Sequence, residues 1–143
     1  MSGQADGKGK TMKFPLFIDL KDKPVLVAGG GRIGGRRAEI LRRFGADVKL
    51  VDPLCGEKRP FEDEDINGCF LVLACTDNAE VNAHIAALCK QKNIFVSRAD
   101  SAEDSTFFFP ALCENEDICA GLVSNGDKHG LVKETAERIR KIL

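Results

Sequence analysis

Short runs of apolar residues alternate with longer amphipathic stretches along most of this chain. Four short runs rich in apolar residues predict strands, and the nearly continuous run at residues 24–28 predicts one that is buried on both faces, as in a parallel sheet. These runs cover residues 24–28, 47–51, 69–74 and 94–97. Apolar residues at helical spacing predict helices, over residues 32–44, 78–91 and 131–143. Alternating strands and helices are typical of an α/β fold with a doubly wound, mostly parallel sheet.

The first predicted helix has a clear apolar face. Helical spacing places Ile33, Ile40, Leu41 and Phe44 on it, so we expect these side chains to pack on the sheet. Gly45 is the expected C-cap, because glycine readily adopts the left-handed conformation that ends many helices.

The last part of the chain predicts a short extension to this single domain. Two further strands are expected over residues 106–110 and 118–123, and the last helix follows them. The expected parts are a disordered leader over residues 1–12, a nucleotide-binding domain over 13–112, and a C-terminal strand and helix over 113–143.

A glycine-rich turn joins the first predicted strand to the first predicted helix, with the pattern Gly29-x-Gly31-x-x-Gly34. Gly29 permits a tight turn, Gly31 lets a pyrophosphate approach the backbone, and Gly34 lets the helix lie close to the sheet. The N–H groups at the start of the helix, at Arg32 and Ile33, would then bind the phosphates. The pattern predicts a dinucleotide site in a Rossmann-like fold, and a purely structural strand, turn and helix is the alternative.

An acidic residue follows the second predicted strand, 18 residues after Gly34. At this position Asp52 can accept hydrogen bonds from the adenosine ribose and repel a 2′-phosphate, which favours NAD over NADP. The alternative is that Asp52 is a turn residue before Pro53. The neighbouring Arg32, Arg36 and Arg37 leave a cofactor with a 2′-phosphate open as an alternative.

Composition narrows the choice of partner and compartment. The chain has 143 residues and a net charge of −1, so no general attraction to nucleic acid or to a membrane surface is expected. No apolar run reaches the length of a membrane span and no signal-peptide core is present, which predicts a cytoplasmic protein. Six cysteines without a CxxC pair and two histidines predict no metal site.

Motifs outside the glycine loop resemble one family. They are the Phe-Pro-Leu-Phe-Ile-Asp-Leu opening at residues 14–20, Cys75-Thr76-Asp77 with Asn82, Asp100, Phe-Phe-Phe-Pro-Ala at residues 107–111, and Leu-Val-Ser-Asn-Gly at residues 122–126. Their combination is similar to the precorrin-2 dehydrogenases that form the N-terminal module of siroheme synthases. Members of that family oxidise precorrin-2 to sirohydrochlorin with NAD⁺, and some also insert Fe²⁺.

The resemblance implies roles for several residues. Asp100 is the implied catalytic residue, where a carboxylate takes a proton or steadies developing charge. Thr76 is an implied cofactor contact, and Ser124 and Asn125 are implied contacts for the carboxylate arms of the tetrapyrrole. Each has a simpler alternative: Asp100 caps the following turn, Thr76 caps the helix beginning near Asn78, and Ser124 and Asn125 form only a turn.

The chain also departs from the family pattern. Asp127 replaces the second glycine of the Ser-x-Gly-Gly turn, and His129-Gly130 replaces the Ser-Pro that commonly follows. The chain ends at Leu143, before most of the family's dimerisation region, which leaves chelatase activity open. We nevertheless expect a homodimer.

A second class of protein shares part of this pattern. Non-catalytic NAD-binding regulatory domains of potassium transport systems have the same glycine pattern and a Thr-Asp after the third strand. They do not need the Phe-Pro-Leu-Phe opening or the Phe-Phe-Phe-Pro-Ala segment, which favours the enzyme. A redox-sensing NAD-binding protein that uses the late cysteines is a third interpretation.

Overall fold

A computed structural model describes residues 12–143 of the chain, so the predicted leader falls almost entirely outside the described residues. Contacts group the described residues into two compact units. The larger unit is Ile18–Phe108, and the smaller combines residues 12–17 with Phe109–Leu143.

Four parallel strands form the sheet of the larger unit, in the order β2-β1-β3-β4. Their bounds are β1 (Pro24–Ala28), β2 (Asp47–Val51), β3 (Leu71–Ala74) and β4 (Phe95–Arg98). In register, Ala28 lies beside Val51 and Ala74, and Ala74 lies beside Arg98. The carboxyl ends of all the strands therefore meet at one edge, and the predicted α/β fold with a parallel, Rossmann-like sheet is confirmed.

Helices cover this sheet. Helix α1 (Arg32–Arg43) packs on β1 and β2, and helix α2 (Ala79–Gln91) packs on β3, β4 and a short 3-10 helix (Asp63–Ile66). One core cluster joins α2 to alternate residues of the strands; it includes Leu26, Val72, Val96, Ile85 and Cys89. Intervening strand residues such as Val27 and Leu73 are equally buried, and they point to the opposite face because strand side chains alternate. Strands β1 (after Pro24) and β3 are buried on both faces, which explains why their sequences are continuously apolar.

The inner face of α1 differs from its predicted one. Its buried residues are Gly34, Ala38 and Leu41, whereas the side chains of Ile33 and Phe44 are 51% and 38% exposed. The prediction that Ile33 and Phe44 pack on the sheet is therefore wrong. At the start of α1 only a glycine fits against the turn after β1, because a Cβ at Gly34 would overlap the carbonyl oxygen of Gly29.

The smaller unit contains an antiparallel strand pair and a helix. Strands β5 (Ala111–Glu114) and β6 (Cys119–Leu122) pair, and helix α3 (His129–Ile142) packs on β5. The predicted strand over residues 106–110 is wrong. The Thr106 N–H instead donates to the Val96 carbonyl at 2.7 Å, and Pro110, which has no N–H, directly precedes β5. Within residues 12–143, no helix is both long and apolar enough to cross a membrane.

Candidate functional site

The turn after β1 is held by close contacts between backbones. Gly29 has a φ of +103°, and its N–H donates to the Val51 carbonyl at 2.8 Å. A Cβ at Gly29 would overlap the carbonyl oxygen of Cys75, and a Cβ at Gly34 would overlap the carbonyl oxygen of Gly29. Protein packing therefore explains both glycines, as the tight turn and the close helix approach require.

Gly31 has a different environment. A Cβ at Gly31 would have no described protein atom within 4 Å, so packing does not require a glycine there. Gly31 is the N-cap of α1 and offers no side chain to the first turn, which contains no acidic residue. The N–H groups of Arg32 and Ile33 thus begin a helix without side-chain capping, next to open space. A helix N-terminus of this kind attracts an anion such as a pyrophosphate.

Asp52 lies at the end of β2 and contacts the glycine turn. Its Oδ2 accepts a hydrogen bond from the Gly30 N–H at 2.7 Å, and its Oδ1 accepts one from the Leu54 N–H at 2.7 Å. These donors, Gly30 first, lower the pKa of the Asp52 carboxyl below its usual value. Asp52 is therefore an ionised turn residue that also tethers the turn. Gly30 was not predicted to matter, yet a Cβ there would overlap Cys55 Sγ.

Thr76, which follows β3, is hydrogen-bonded to Asn82 of α2, a side chain only 1% exposed. The Asn82 Oδ1 accepts from the Thr76 N–H at 3.1 Å and from its hydroxyl at 2.6 Å, and the Asn82 amide donates to the Thr76 carbonyl at 3.0 Å. The alternative that Thr76 caps α2 is wrong. Asn78 is the N-cap, because its side chain accepts from the N–H groups of Glu80 and Val81.

Asp100, two residues beyond β4, is paired with the last residue of that strand. Arg98 donates from Nε to Asp100 Oδ1 and from Nη2 to Asp100 Oδ2, both at 2.9 Å. This pairing is the main cause of a lowered pKa of the Asp100 carboxyl; burial opposes it, and a hydrogen bond from Asn82 adds to it. The serine hydroxyl of Ser101, not Asp100, accepts from the N–H of Asp104 in the following turn.

The sequence interpretation overlooked Arg98. The available signal was a charged residue at the end of a strand whose preceding residues, Val96 and Ser97, are buried. A cation at that position needs a partner, and Asp100 and Asp104 follow within one short loop. The pattern alone does not say which acid pairs with it.

Ser124 and Asn125 lie in the smaller unit, in the loop between β6 and α3. Ser124 Oγ accepts from the N–H groups of Gly126 and Lys128 at 3.0 and 3.1 Å. Lys13 donates from Nζ to the Ser124 carbonyl at 2.7 Å and from its N–H to the Asn125 Oδ1 at 3.0 Å. The Asn125-Gly126 pair thus joins a strand to a helix and does not form a hairpin.

The larger unit brings most of the predicted residues to one edge. Gly29, Gly31, Gly34, Arg32 and Ile33 follow β1, and Asp52, Thr76 and Asp100 follow β2, β3 and β4. A parallel sheet with a glycine turn, an uncapped helix N-terminus and an acid after its second strand defines a dinucleotide-binding protein of the Rossmann type.

Comparison with known proteins agrees with this class. The model of a family described as "Putative NAD(P)-binding" matches residues 16–111. The chain belongs to this NAD(P)-binding family. The match ends near the point where β5 begins and includes every candidate residue of the larger unit.

Two curated relatives are named for siroheme synthesis. The "Probable multifunctional siroheme biosynthesis protein HemA" of Ruminiclostridium josui is 47% identical over 145 residues, covering 91% of this chain and 28% of that protein. "Siroheme synthase 1" of Pectobacterium atrosepticum is 32% identical over 144 residues, covering 91% of this chain and 30% of that protein. The chain therefore spans under a third of the length of these relatives.

A solved structure has the same fold. The structure named "SirC, precorrin-2 dehydrogenase" superposes with a TM-score of 0.68 and 22% sequence identity, covering 92% of this chain and 71% of that one. At 22% identity this likeness shows the fold alone. It extends the fold assignment from residues 16–111, which the family model matches, to nearly all of the chain.

Proposed function

We propose that this chain catalyses the NAD-dependent oxidation of precorrin-2 to sirohydrochlorin in siroheme biosynthesis. The observation that carries the proposal is the ionised Asp100 carboxylate at the same sheet edge as the uncapped glycine turn. A hydride acceptor and a charged catalytic group would then reach one substrate. The curated relatives, which are named for siroheme synthesis, and the fold shared with a precorrin-2 dehydrogenase support this choice of substrate.

The cofactor in this proposal is NAD. Gly31 and the N–H groups of Arg32 and Ile33 hold the pyrophosphate, and Gly29 and Gly34 maintain the turn that presents them. Asp52 binds the adenosine ribose, and its negative charge disfavours the 2′-phosphate of NADP. The ordered Thr76 lies after β3, where Rossmann-type sheets contact their cofactors. When bound, NAD⁺ accepts a hydride from the substrate.

Asp100 is the proposed catalytic residue. Its lowered pKa makes Asp100 an anion across the neutral range. It can therefore stabilise positive charge on the macrocycle or act as a general base that takes a proton from it. A low pKa favours the first role, because a weak base gains little driving force for proton transfer. Ser124 and Asn125 are the proposed contacts for carboxylate arms of the tetrapyrrole. Chelatase activity is not part of the proposal.

The proposal includes a homodimer in the cytoplasm. Apolar side chains with little cover support self-association, since large exposed apolar surface usually marks an interface. They include Phe14, Phe17, Leu131 and Ile142, exposed by 85%, 74%, 59% and 82%. The free thiols of six cysteines support a reducing compartment.

The first test is anaerobic turnover by the purified chain. Precorrin-2 and NAD⁺ should yield NADH together with the sirohydrochlorin spectrum. Asp100→Asn should lower kcat by about 10² to 10⁴-fold, the usual contribution of a positioned acid or base, and leave the Kd for NAD unchanged. An equal loss of turnover and NAD affinity would make Asp100 structural.

One observation favours a second candidate, a non-catalytic NAD-binding regulatory domain. Arg98 occupies both carboxylate oxygens of Asp100, as it would for a purely structural acid. NAD binding measured by calorimetry, with no turnover of precorrin-2, would overturn the dehydrogenase and support this alternative.

A further inference from the structure

The Asp100 carboxylate is one end of a connected set of charged side chains, which we call the Arg98 clamp: Arg98, Asp100, Asp104 and Lys90. Arg98 binds Asp100 through two parallel hydrogen bonds, the arrangement that matches a planar guanidinium to a carboxylate. Its remaining Nη1 donates to Asp104 Oδ2 at 2.9 Å. The ammonium of Lys90, on α2, also bonds Asp104. One guanidinium is thus shared by two acids.

The geometry holds the guanidinium in place. The Arg98 side chain is only 12% exposed, and its backbone N–H donates to Ser105 Oγ at 2.9 Å. Ser105 Oγ also donates to the Ser101 carbonyl at 2.8 Å, which closes the loop that carries Asp100. The Arg98 guanidinium therefore lies at the end of β4, against a closed loop. It is not carried by a freely moving surface side chain.

We propose that Arg98 is a positioning residue that fixes the orientation and charge of the Asp100 carboxylate, with Asp104 and Lys90 as its anchor. The inference rests on the proposed function, in which Asp100 is the catalytic residue. Arg98 itself does not need to touch NAD or the tetrapyrrole. Substrate can compete for an oxygen of Asp100 while Asp104 keeps the guanidinium in the site.

The charged and titratable groups around Asp100 determine how the loss of Arg98 would change the pKa of Asp100. Arg98 and Asp104 lie on its own loop, Lys90 approaches Asp104 from α2, and the thiol of Cys75 approaches from the end of β3. Arg98 is the charged group that directly bonds Asp100. Its loss removes the main cause of the lowered pKa, so the pKa of Asp100 should rise towards its usual value, as expected when a carboxylate loses a close cation.

Lysine is not an equivalent replacement. An ammonium is a point charge without the planar fork that engages both carboxylate oxygens. Arg98→Lys should therefore retain part of the effect on the Asp100 pKa but lose the fixed orientation. Comparing Arg98→Lys with the wild type therefore separates the effect of a positive charge beside Asp100 from the effect of a fixed orientation of its carboxylate.

The test is a carboxyl-carbon NMR titration of Asp100 in the whole chain, combined with turnover. Arg98→Met should raise the Asp100 pKa, move the acid limb of the pH–kcat profile upward with it, and lower kcat by about 100-fold, as expected for a displaced catalytic group. NAD affinity should stay unchanged. Arg98→Lys should lie between wild type and Arg98→Met in both readouts. Arg42→Met, which removes an exposed arginine in the last turn of α1, is the matched control and should change neither.

An Arg98→Met chain that is folded, with an unchanged Asp100 pKa and unchanged kcat, overturns the inference. If Arg98→Met does not fold, Arg98→Lys and Asp104→Asn decide it: wild-type kcat in both overturns it, and a lowered kcat with unchanged NAD affinity supports it. The titration needs neither NAD nor precorrin-2. A wild-type chain without turnover would therefore end the proposed function, whereas the titration would still show whether Arg98 controls Asp100.

Discussion

The two halves of the sheet edge, beyond β1 and β2 and beyond β3 and β4, are formed by different kinds of chemical group. Beyond β1 and β2 the site is mostly main chain: a glycine turn, an uncapped helix N-terminus and one carboxylate bound to backbone N–H groups. Beyond β3 and β4 it is a set of paired side chains: Thr76 is bonded to Asn82 and Asp100 to Arg98, and Asn82 also helps to lower the pKa of Asp100. The first half suits the binding of a phosphate-rich ligand, and the second half holds the proposed catalytic group, Asp100, in place.

The difference shows how each half tolerates change. A ligand site made of main-chain groups needs space that is free of side chains. A methyl group added there therefore affects ligand binding but little of the surrounding structure. A side-chain network depends on every partner, because a polar group that loses its partner costs free energy wherever water cannot replace that partner.

The largest effect is expected at the centre of the network. Asn82→Leu would leave the Thr76 N–H and carbonyl without partners, and unpaired buried groups cost about 1 to 3 kcal/mol each. We expect the free energy of unfolding, measured in urea, to fall by about 3 kcal/mol. The exposed Asn67→Leu is the control and should change it by less than about 0.5 kcal/mol. A small effect at Asn82 would mean that the β3 and β4 half is as tolerant as the other.

Asp52→Ala tests the one carboxylate in the main-chain half. It removes charge-assisted hydrogen bonds worth about 1.5 to 3 kcal/mol, so the Kd for NAD should rise about 30-fold, and discrimination against NADP should weaken. Asp47→Ala, at the opposite end of β2, is the matched control and should leave binding unchanged. Unaltered NAD affinity in Asp52→Ala would remove the ribose contact from the proposal.

Gly31→Ala separates ligand space from packing. Its φ of −72° suits alanine and no described atom lies within 4 Å of the added Cβ, so the fold should keep its melting temperature. NAD affinity should fall about tenfold, because overpacking against a bound group costs about 1 to 3 kcal/mol.

Gly35→Ala adds the same methyl group one turn further along α1, where the nearest atom lies 3.6 Å away. This control should bind NAD normally and gain up to about 1 kcal/mol of stability from better helix propensity. Equal NAD binding by the two variants would show that the space beside Gly31 is not used by the ligand.

The smallest effect is expected at the start of α2. Asn78→Ala removes the hydrogen bonds to the N–H groups of Glu80 and Val81 and should lower stability by about 1 kcal/mol, without changing NAD affinity. The exposed Asp77→Ala should lower it less. A loss of NAD affinity in Asn78→Ala would extend the binding site into α2.

Local sequence patterns correctly predicted those helices and strands whose bounds are set by residues close to them in the sequence. The bounds of β1 and β2 agree with prediction because their apolar runs end at turn residues on both sides. The β5 strand was misplaced because Thr106 bonds Val96, a contact ten residues back that no local pattern reveals. The exposure of Ile33 has the same origin, since helical periodicity counts apolar residues and does not register how close α1 lies to the turn.

Much of the candidate site was visible in the sequence because glycine has a direct signature: only a residue without Cβ allows the turn at Gly29 and the approach at Gly34. The sequence therefore determined the fold class, the dinucleotide turn and the acid at Asp52. The tertiary structure decided that Asn78 and not Thr76 caps α2, that Asn82 ties Thr76 to the site, and that Arg98 pairs with Asp100. These are choices among polar partners, and only the packing of β3, β4 and α2 brings the chosen atoms within hydrogen-bonding distance.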